Sequence, residues 1–544
     1  MKTILSLVWT AAFMTVQAAA DYTQLQRIWS VEPERIEAAI KAFPEAFKDG
    51  FILSAFPETL KLGLVKAKDF ATQKAFVVRF QAQGVPVQIC VSSTLGHTDA
   101  WTLPGDYPKM VGSKGQVAQA MACPRSAAFK VHLRDRFARY AALHPTVLWL
   151  DDDFRMPHHP PVDFACFCDG CLAAFEAKSG LGLDRAALVK AVLDDAIVKD
   201  VNVRDAWGMF VTEALNDLVQ EVATAVHAVD ADIALGFMVI NPSGVGYGER
   251  DFRKWRKLGR NRKGEVWFRP GSGAYTDTAP FSPDGILAKN IQIGRLVAMT
   301  ESAGVINVAE EVTCPYDRAA KSMRMTFFEC ALNIGLAGCD GTTFDAIKPN
   351  LAEQLGEGAI VEMLNTRRGE LARMREMIRG RRQIGVAVPP LVVKRGKVKS
   401  FYALCSHNQE ALLKKLGEGI PLTFRAADAW ATLDSFDRAQ LPARLDAPTR
   451  AGLSLWESSD GAEWIGFVWN FGYDDLSTAR LLLSETAQVE ALDAQGEWKV
   501  VGFGKDLSLP SVAPWSVQVL RLARNVRPAR VSVDFNVEVG PVKP

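Results

Sequence analysis

The sequence predicts an α/β protein whose main part is a (β/α)8 TIM barrel, and two features of residues 50–350 favour this fold. Short, continuously apolar runs alternate with longer segments in which apolar residues recur every three or four positions, as in buried strands and amphipathic helices. The alternation repeats about eight times, which is typical of a parallel sheet whose strands are joined by helices. The length of the region suits a closed barrel better than an open sheet.

Seven of the expected strands can be assigned from these runs, and each ends in polar residues. They are FILSAF (51–56), VPVQICVSS (85–93), TVLWLDDD (146–153), IALGFMVI (233–240), EVWFRPGSG (265–273), GVINVAEE (304–311) and GLAGCDGTTF (335–344). The missing strand is expected near MVGSKGQVAQAMACP (110–124), which is polar. The barrel is predicted to occupy residues 21–382.

Two smaller domains are predicted after the barrel. A strand and helix rhythm over residues 383–445, seen in IGVAVPPLVV (384–393) and EALLKKLGEG (410–419), predicts a small α/β domain of Rossmann or flavodoxin type. Residues 446–544 are rich in strand patterns with regularly spaced turn signals, which predicts a C-terminal β-sandwich.

The N-terminus has the pattern of a signal peptide. Lys2 is followed by an apolar run from Ile4 to Val16 and by the small residues Ala18 to Ala20. A positive start, a short apolar segment and a small-residue cleavage site predict that residues 1–20 direct export, so that the protein is secreted or periplasmic. The alternative interpretation is a buried first helix.

Charge and hydropathy exclude several classes of partner. The 63 Lys and Arg residues nearly balance the 62 Asp and Glu residues, for a net charge of +1. Such a balance attracts neither a polyanion nor a charged membrane surface, so nucleic acid is not an expected partner. No other segment offers about 18 uninterrupted apolar residues, so no membrane span is expected.

Nine cysteines would suggest disulfides in an exported protein. However, their number is odd, and three of them form a tight C-x-C-x-x-C pattern at Cys166, Cys168 and Cys171. Residues two apart on an extended chain point to opposite faces and pair poorly, whereas a metal can gather thiolates from such a loop. Metal binding is therefore favoured, with disulfides and free thiols as the alternatives.

Acidic residues lie at the ends of several predicted strands, where the reacting groups of barrel enzymes are found. The run Asp151 to Asp153 ends one strand, and Glu310 and Glu311 end another, three strands later. Two carboxylates from different strands are what glycoside cleavage needs, because one protonates the departing oxygen and the other attacks the sugar or stabilises its cation. Metal binding and helix capping are the alternatives.

The region 122–175 resembles glycoside hydrolase family 42, the β-galactosidase-like retaining enzymes, or a sibling family of the same barrel clan. Three elements carry the resemblance: Cys-Pro-x-Ser at Cys123, Pro124 and Ser126; His-Pro and Trp at His144, Pro145 and Trp149; and the C-x-C-x-x-C pattern of Cys166, Cys168 and Cys171. The resemblance implies a structural zinc on these four cysteines, β-galactosides as substrates and trimer assembly through the domain after the barrel.

The resemblance also implies roles for the acidic residues. Asp153 stands where the family has its acid/base Glu, and Asp152 stands where it has the preceding Asn. Aspartate is shorter by a methylene, so its carboxyl reaches about 1 Å less far, a misplacement that can cost about a hundredfold in rate. The strand VINVAEEV corresponds to the nucleophile strand. Because neighbours on a strand alternate faces, only one Glu can enter the pocket, and Glu311 is favoured over Glu310 as closer to the strand end.

Six further residues are candidates for substrate binding. Tryptophans offer flat faces for sugar rings, and the polar side chains offer hydrogen bonds; the candidates are Asp152, His97, Trp101, Arg155, Trp267 and Asp345. The alternatives are a core role for the tryptophans and an incidental loop position for the histidine.

The leading hypothesis is thus an exported retaining glycosidase acting on an oligo- or polysaccharide or other glycoside. A catalytically inactive barrel that binds carbohydrate is one alternative, because the acid position is altered. A metal-dependent hydrolase that uses the aspartate run with His158 and His159 is another.

Overall fold

The structure is a computed structural model. Its description covers residues 22–29, 32–56, 69–96, 106–156, 161–240, 251–271, 284–311, 322–345, 357–389, 391–406, 409–433, 435–447 and 450–524. The predictions for residues 1–20, His97, Trp101, His158 and His159 concern positions outside the described residues.

Eight parallel strands form a closed barrel. In chain order they are β1 (Thr23–Ile28), β2 (Phe51–Ser54), β3 (Val87–Val91), β4 (Val147–Leu150), β5 (Ala234–Ile240), β6 (Val266–Gly271), β7 (Val305–Glu311) and β8 (Gly341–Phe344). Each strand pairs with its neighbours in the chain, and β1 closes the barrel by pairing with β8 from Thr23 opposite Gly341 to Gln26 opposite Phe344.

Helices surround the barrel and connect its strands. They are α1 (Pro33–Ala42), α2 (Phe70–Gln81), α3 (Ala127–Ala141), α4 (Asp169–Ser179), α5 (Arg185–Asp194), α6 (Val203–Val229), α7 (Phe252–Gly259), α8 (Asp284–Thr300), α9 (Met323–Gly335) and α10 (Glu357–Ile378). Ser126 caps α3, because its Oγ accepts a hydrogen bond from the N–H of Phe129. Serine is one of the residues that helix N-caps generally prefer.

The predicted position of the eighth strand was wrong. The missing strand is β1, TQLQRI, and residues 110–124 instead contribute to an antiparallel hairpin of Lys109–Val111 and Val117–Ala122 outside the barrel. Strand β1 has no apolar run because Gln24 and Gln26 alternate with its other residues, yet both glutamines are buried. Each donates its Nε2 to the carbonyl of Ala46, so the amide nitrogens keep a partner, whereas both Oε1 atoms have none among the described residues.

The barrel interior follows the alternation of each strand. Val308 on β7 packs inside against Leu25 and Trp149, whereas its neighbour Ala309 packs outside against Val297 of α8. A side chain two residues beyond Val308 therefore points inward, and one two residues beyond Ala309 points outward.

A second, nine-stranded sheet follows the barrel. Its strands are β9 (Arg382–Ala387), β10 (Leu422–Thr423), β11 (Ala429–Thr432), β12 (Ala443–Asp446), β13 (Ala451–Glu457), β14 (Glu463–Asn470), β15 (Arg480–Leu492), β16 (Trp498–Ser508) and β17 (Ser516–Arg524). The main order is β10-β9-β13-β14-β17-β15-β12, with β11 beside β9 and β16 beside β15. Most pairs are antiparallel, but β9 pairs in parallel with β10 and β11.

The predicted fold class is confirmed as a closed (β/α)8 barrel followed by a mostly antiparallel sheet domain. Strands from the two predicted segments 383–445 and 446–544 share this one sheet, joined where β9 pairs with β13 and β12 pairs with β15. The helix α11 (Gln409–Gly417) belongs to the first segment. Sequence periodicity identifies strands but not which strands pair across a long separation, so the shared sheet was not visible in it.

The sheet domain contacts the barrel at the end of α9. The carbonyl of Gly335 accepts hydrogen bonds from Ser454 Oγ (2.7 Å) and Trp456 Nε1 (2.8 Å), and that of Leu336 accepts one from Gln383 Nε2 (2.7 Å). Carbonyls at a helix end have no partner within the helix, so the sheet domain satisfies groups of the barrel. In the described part of the chain, no helix combines the length and the hydrophobicity that crossing a membrane requires.

Replacing Gly236 by Ala tests the packing inside the barrel. A Cβ at this position on β5 would lie 2.3 Å from the ring of the fully buried Trp149. We expect Gly236→Ala to lower the free energy of unfolding by about 1–3 kcal/mol, measured by urea unfolding. The control is Gly369→Ala on the exposed side of α10, where a Cβ meets open space and stability should be kept or slightly raised. Equal effects of the two changes would contradict the packing.

Candidate active site

Charged side chains gather inside the barrel at the carboxyl ends of its strands. They project inward near strand ends or directly follow a strand, and they are buried or half-buried; we call them the mouth cluster, and its members are Arg27, Asp151, Asp152, Arg269, Glu310 and Asp345. The two cations and four carboxylates give these residues a formal charge of −2. The acidic residues therefore meet at the edge of the barrel where the sequence predicts a pocket.

Arg27 and Asp151 form the first ion pair of the mouth cluster. The Nη2 of Arg27 lies 3.3 Å from Asp151 Oδ1, and its Nε donates to Ser54 Oγ at 2.9 Å. The other oxygen of Asp151 accepts the N–H of Ser93 at 3.0 Å. Asp151 is thus tied to β1 and to the turn after β3, which makes it a fixed charge in the barrel wall.

Arg269 and Glu310 form the second ion pair. Arg269 Nη1 donates to Glu310 Oε1 at 2.8 Å, and both side chains are less than 5% exposed. The second oxygen of Glu310, Oε2, is buried and has no hydrogen-bond partner among the described residues. A Cβ on Gly271 would lie 2.1 Å from Oε2, so the glycine that ends β6 makes room for this carboxylate.

The cluster keeps its two guanidiniums charged. Burial lowers the pKa of Arg269, but the negative charges of Glu310 and of the aspartates raise it above its ordinary value overall. Burial likewise lowers the pKa of Arg27, and Cys90 with Asp151 and the other carboxylates raises it well above its usual range. The half-buried Asp152 contributes to both shifts, so its negative charge acts on both arginines.

Glu311 faces away from the mouth cluster. It is 1% exposed and accepts a hydrogen bond from Lys289 Nζ of α8 at 3.1 Å, and Lys289 also lies 3.8 Å from Glu329 of α9. These partners belong to the helix layer, so Glu311 points outward between barrel and helices. The structure corrects the preference for Glu311 over Glu310: the strand alternation that sends Val308 inward sends Glu310 inward too.

Asp153 holds a turn and does not reach the mouth cluster. It is fully buried; Oδ1 accepts the N–H of Thr94 at 2.9 Å, and Oδ2 accepts those of Leu95 and Gly96 at 2.8 and 2.6 Å. A proton on either oxygen would face an N–H donor. A general acid must carry such a proton, so this environment does not suit that role. The structure therefore does not support the acid/base role that the resemblance implies for Asp153.

The same turn is held from its other side by Arg136 of α3. Its guanidinium donates to the carbonyls of Ser92 (2.8 Å), Ser93 (3.0 Å) and Ala55 (3.2 Å). The carbonyls of the turn thus bind a cation while its N–H groups bind the carboxylate of Asp153. The guanidinium of Arg136 and the carboxylate of Asp153 thus fix the backbone of this turn, whose Ser93 N–H donates a hydrogen bond to Asp151.

The remaining substrate-binding candidates lie in different places. Asp345 is in the mouth cluster and accepts the indole N–H of Trp29 at 2.7 Å. Trp267 lies lower inside the barrel, two residues before Arg269, where its ring packs against Trp149 at 6.2 Å. Its position corrects the expectation of a sugar platform there. Arg155 is 7% exposed, and its backbone N–H binds the carbonyl of Asp153.

Sequence reasoning missed Arg27, Trp29 and Arg269. A usable signal existed for the arginines, because each is a single cation near the end of a buried strand, on the inward side by alternation. A buried cation needs a carboxylate partner, which points back to the acidic strand ends. The signal for Trp29 was lost with the unassigned strand β1.

The four cysteines of the predicted metal site converge as expected. All four sulfur atoms lie within 4.8 Å of one another, with Cys123 3.5 Å from Cys171 and 3.7 Å from Cys168. These separations are too long for disulfides, and all four thiols are free. Four thiolates around one zinc at Zn–S distances of about 2.3 Å would lie about 3.8 Å apart, so the donor set fits a closed tetrahedral site.

The cluster joins the loop after β4 to the hairpin that precedes α3. Cys123 directly follows the hairpin, and Cys168 is the N-terminal boundary residue of α4. Its interactions with the other thiols, that with Cys123 foremost, lower the pKa of the Cys168 thiol, which favours the thiolate that a metal needs. Zinc bound here would staple the two segments, and with four protein ligands it would have no open position for a reacting water.

In the described part of the chain, the side chains of the aspartate run do not converge as metal ligands would. There, the four cysteines form the single group of three or more histidine, cysteine, aspartate or glutamate side chains whose ligand atoms converge. The hypothesis of a metal-dependent hydrolase built on Asp151 to Asp153 thus finds no support in the described residues.

Comparison with known proteins shows the fold but no family. No family model matches the sequence, and no curated protein matches it. Solved structures do match: a β-galactosidase from Bacillus circulans sp. alkalophilus has a TM-score of 0.58 at 10% identity, over 93% of this chain and 99% of that one. A GH42 β-galactosidase from G. stearothermophilus has a TM-score of 0.59 at 9% identity, over 93% and 99%.

An enzyme with another named activity matches equally well. An α-L-fucosidase, isoenzyme 2 from Paenibacillus thiaminolyticus, has a TM-score of 0.59 at 9% identity, over 93% of this chain and 100% of that one. This chain thus shares its fold with these three enzymes. Because galactosidases and a fucosidase share it, it does not name the sugar.

Metal analysis of the purified protein tests the cysteine site. We expect about one zinc per chain, and we expect Cys166→Ser to lower metal affinity at least tenfold, because even partners behind the ligands are worth 10- to 100-fold. Zinc retained after dialysis against a chelator is the measurement. Cys339→Ala, at an equally buried thiol outside the cluster, should keep the metal. A metal-free wild type would contradict the assignment.

Asp153→Asn tests the role of the turn. The amide would place N–H groups against the backbone donors of Leu95 and Gly96, which should lower the free energy of unfolding by about 2–5 kcal/mol in urea. The half-buried Asp152 is the matched control, and Asp152→Asn should cost less than about 1 kcal/mol. If Asp153→Asn kept its stability but lost activity, the result would instead support Asp153 as the general acid.

Proposed function

We propose that the protein is a glycoside hydrolase that cleaves β-linked sugars with retention of configuration, with β-galactosides as the first candidate substrates. One observation carries the proposal. Glu310 is a buried carboxylate at the end of the seventh strand, with one oxygen on Arg269 and the other without a hydrogen-bond partner among the described residues. A nucleophilic carboxylate needs this combination of a fixed charge and a free oxygen.

Glu310 would attack the anomeric carbon through Oε2. Arg269 fixes the carboxylate through Oε1 and sets a buried positive charge beside it. Gly271 leaves the space that Oε2 occupies. The resulting covalent glycosyl-enzyme is the intermediate of double displacement.

Asp152 is the proposed general acid and base. It follows the fourth strand, is half-buried, and acts on the same Arg269 guanidinium that holds Glu310. Of its neighbours, Asp151 is committed to Arg27 and Asp153 to the turn of residues 94–96. Asp152 would protonate the leaving oxygen and then deprotonate the water that releases the product.

Trp29 and Asp345 are the proposed sugar contacts. The half-buried indole of Trp29 stands at the end of β1, and its N–H fixes the Asp345 carboxylate. An indole face suits the apolar side of a sugar ring, and a carboxylate accepts hydrogen bonds from sugar hydroxyls. The two together would orient the ring over the mouth cluster.

A carbohydrate-binding barrel without catalysis is the second candidate. It is favoured by the placement of Asp153, which stands in the acid/base position of the resembled family. The carboxylate of Asp153 accepts the N–H groups of a turn instead of facing the mouth cluster. Export through residues 1–20 and assembly into trimers remain further parts of the proposal, each carried by the sequence alone.

A nucleophile variant tests the proposed function. Glu310→Ala should lower kcat on an aryl β-galactoside at least about 10³-fold, because an activated leaving group needs little acid help and depends on the nucleophile. Added azide should restore turnover of the Glu310→Ala variant and give a glycosyl azide of inverted configuration, identified by NMR. The rescue separates lost chemistry from lost folding.

The matched control is the neighbouring carboxylate. Glu311→Gln should lower the melting temperature, because it leaves Lys289 buried with a weaker partner, but kcat should stay within about tenfold. A wild type that binds galactosides without turning them over would support the inactive barrel. Full activity of Glu310→Ala would overturn the assignment of the nucleophile.

A further inference from the structure

A cavity lies where the barrel helices meet the sheet domain. Its volume is about 260 Å³, and it is lined by residues of α9, α10 and β17 together with the segment before β17. It shares no lining residue with the mouth cluster. A volume below the about 300–1,000 Å³ of sites for drug-sized ligands suits one small ring.

The cavity combines an aromatic wall with a positive edge. Arg367 stacks its guanidinium 3.3 Å from the ring centroid of Phe327 and pairs with Glu370 through two hydrogen bonds of 2.9 and 2.7 Å. Arg324, one turn before Phe328, is exposed and adds a second cation to the lining. The charges of the lining therefore sum to +1, in contrast to the negative mouth cluster.

Trp515 supplies the aromatic surface. Its backbone has φ of 51°, a conformation that a bulky residue rarely adopts and that costs on the order of 1–3 kcal/mol. The N–H of Trp515 binds the carbonyl of Asn470, and its ring meets Phe328 and Tyr473 edge-on, each at 5.7 Å. Tyr473 is 69% exposed, so the aromatic surface continues from the cavity to solvent.

We propose that this cavity binds a saccharide unit that carries a carboxylate, such as a hexuronic acid. The sugar ring lies on Trp515, and its carboxylate pairs with Arg324, a planar partner suited to two parallel hydrogen bonds. The choice of a sugar as the ligand rests on the proposed function, whereas the preference for an anion rests on the charges of the lining. The site would hold an acidic polysaccharide on the enzyme away from the mouth cluster.

Calorimetric titration with galacturonic acid tests the site, with a non-hydrolysable aryl thio-β-galactoside present in every titration to occupy the mouth cluster. We expect a Kd in the millimolar range, which corresponds to about −4 kcal/mol, and at least tenfold weaker binding of neutral galactose. Arg324→Gln, a substitution at an exposed position, should weaken galacturonate binding at least tenfold and remove the preference over galactose. Trp515→Leu should weaken both sugars, with its thermal unfolding measured to verify folding.

Three results would overturn the proposal. These are equal affinity for galactose and galacturonate, galacturonate binding that survives both substitutions, and equally tight binding of cyclohexanecarboxylate, which would mark a carboxylate site that does not recognise sugars. The hydrolysis of aryl galactosides by Arg324→Gln should stay within about twofold of wild type. Because the readout is heat of binding, an inactive wild type would refute the proposed function without deciding this site.

Discussion

The site depends on charge compensation inside a barrel that is otherwise apolar. An isolated carboxylate in such an interior loses its hydration and takes up a proton instead of remaining charged. Arg27 and Arg269 remove this obstacle, since each stands beside a carboxylate of another strand. The barrel can therefore hold ionised acids at its mouth. Removing either arginine would leave a buried charge without its partner, at a cost on the order of 3–5 kcal/mol.

Charge compensation also gives different roles to acidic residues that look alike in the sequence. Asp151, Asp152 and Asp153 are consecutive, yet one pairs with Arg27, one is half-buried and raises the pKa of Arg269, and one holds a turn. Glu310 and Glu311 are consecutive as well, and they point to opposite sides of β7. The role of each acid follows from the donors that surround it, and these donors come from strands and helices far away in the chain.

Much of the fold was predictable from the sequence, because buried parallel strands leave long apolar runs. Seven strands followed from such local patterns, and the C-x-C-x-x-C spacing favoured a metal, whereas the inclusion of Cys123 followed from the family resemblance. Strand β1 escaped because its buried glutamines interrupt the run, and their partner, the Ala46 carbonyl, is recognisable only in three dimensions. The choice between Glu310 and Glu311 rested on nearness to the strand end, although the phase of the alternation, readable from Val308, decides it. The role of Asp153 depends on a turn about 58 residues earlier, which no local pattern contains.

The hydrogen bonds at the end of α9 have a consequence for how the chain can be divided. Side chains of β9 and β13 cover the carbonyls of Gly335 and Leu336, so a fragment that stops at residue 378 would expose these acceptors and the apolar surface of the helix beside them. A different module in place of the sheet domain would have to supply new donors for these carbonyls and a new cover for this surface.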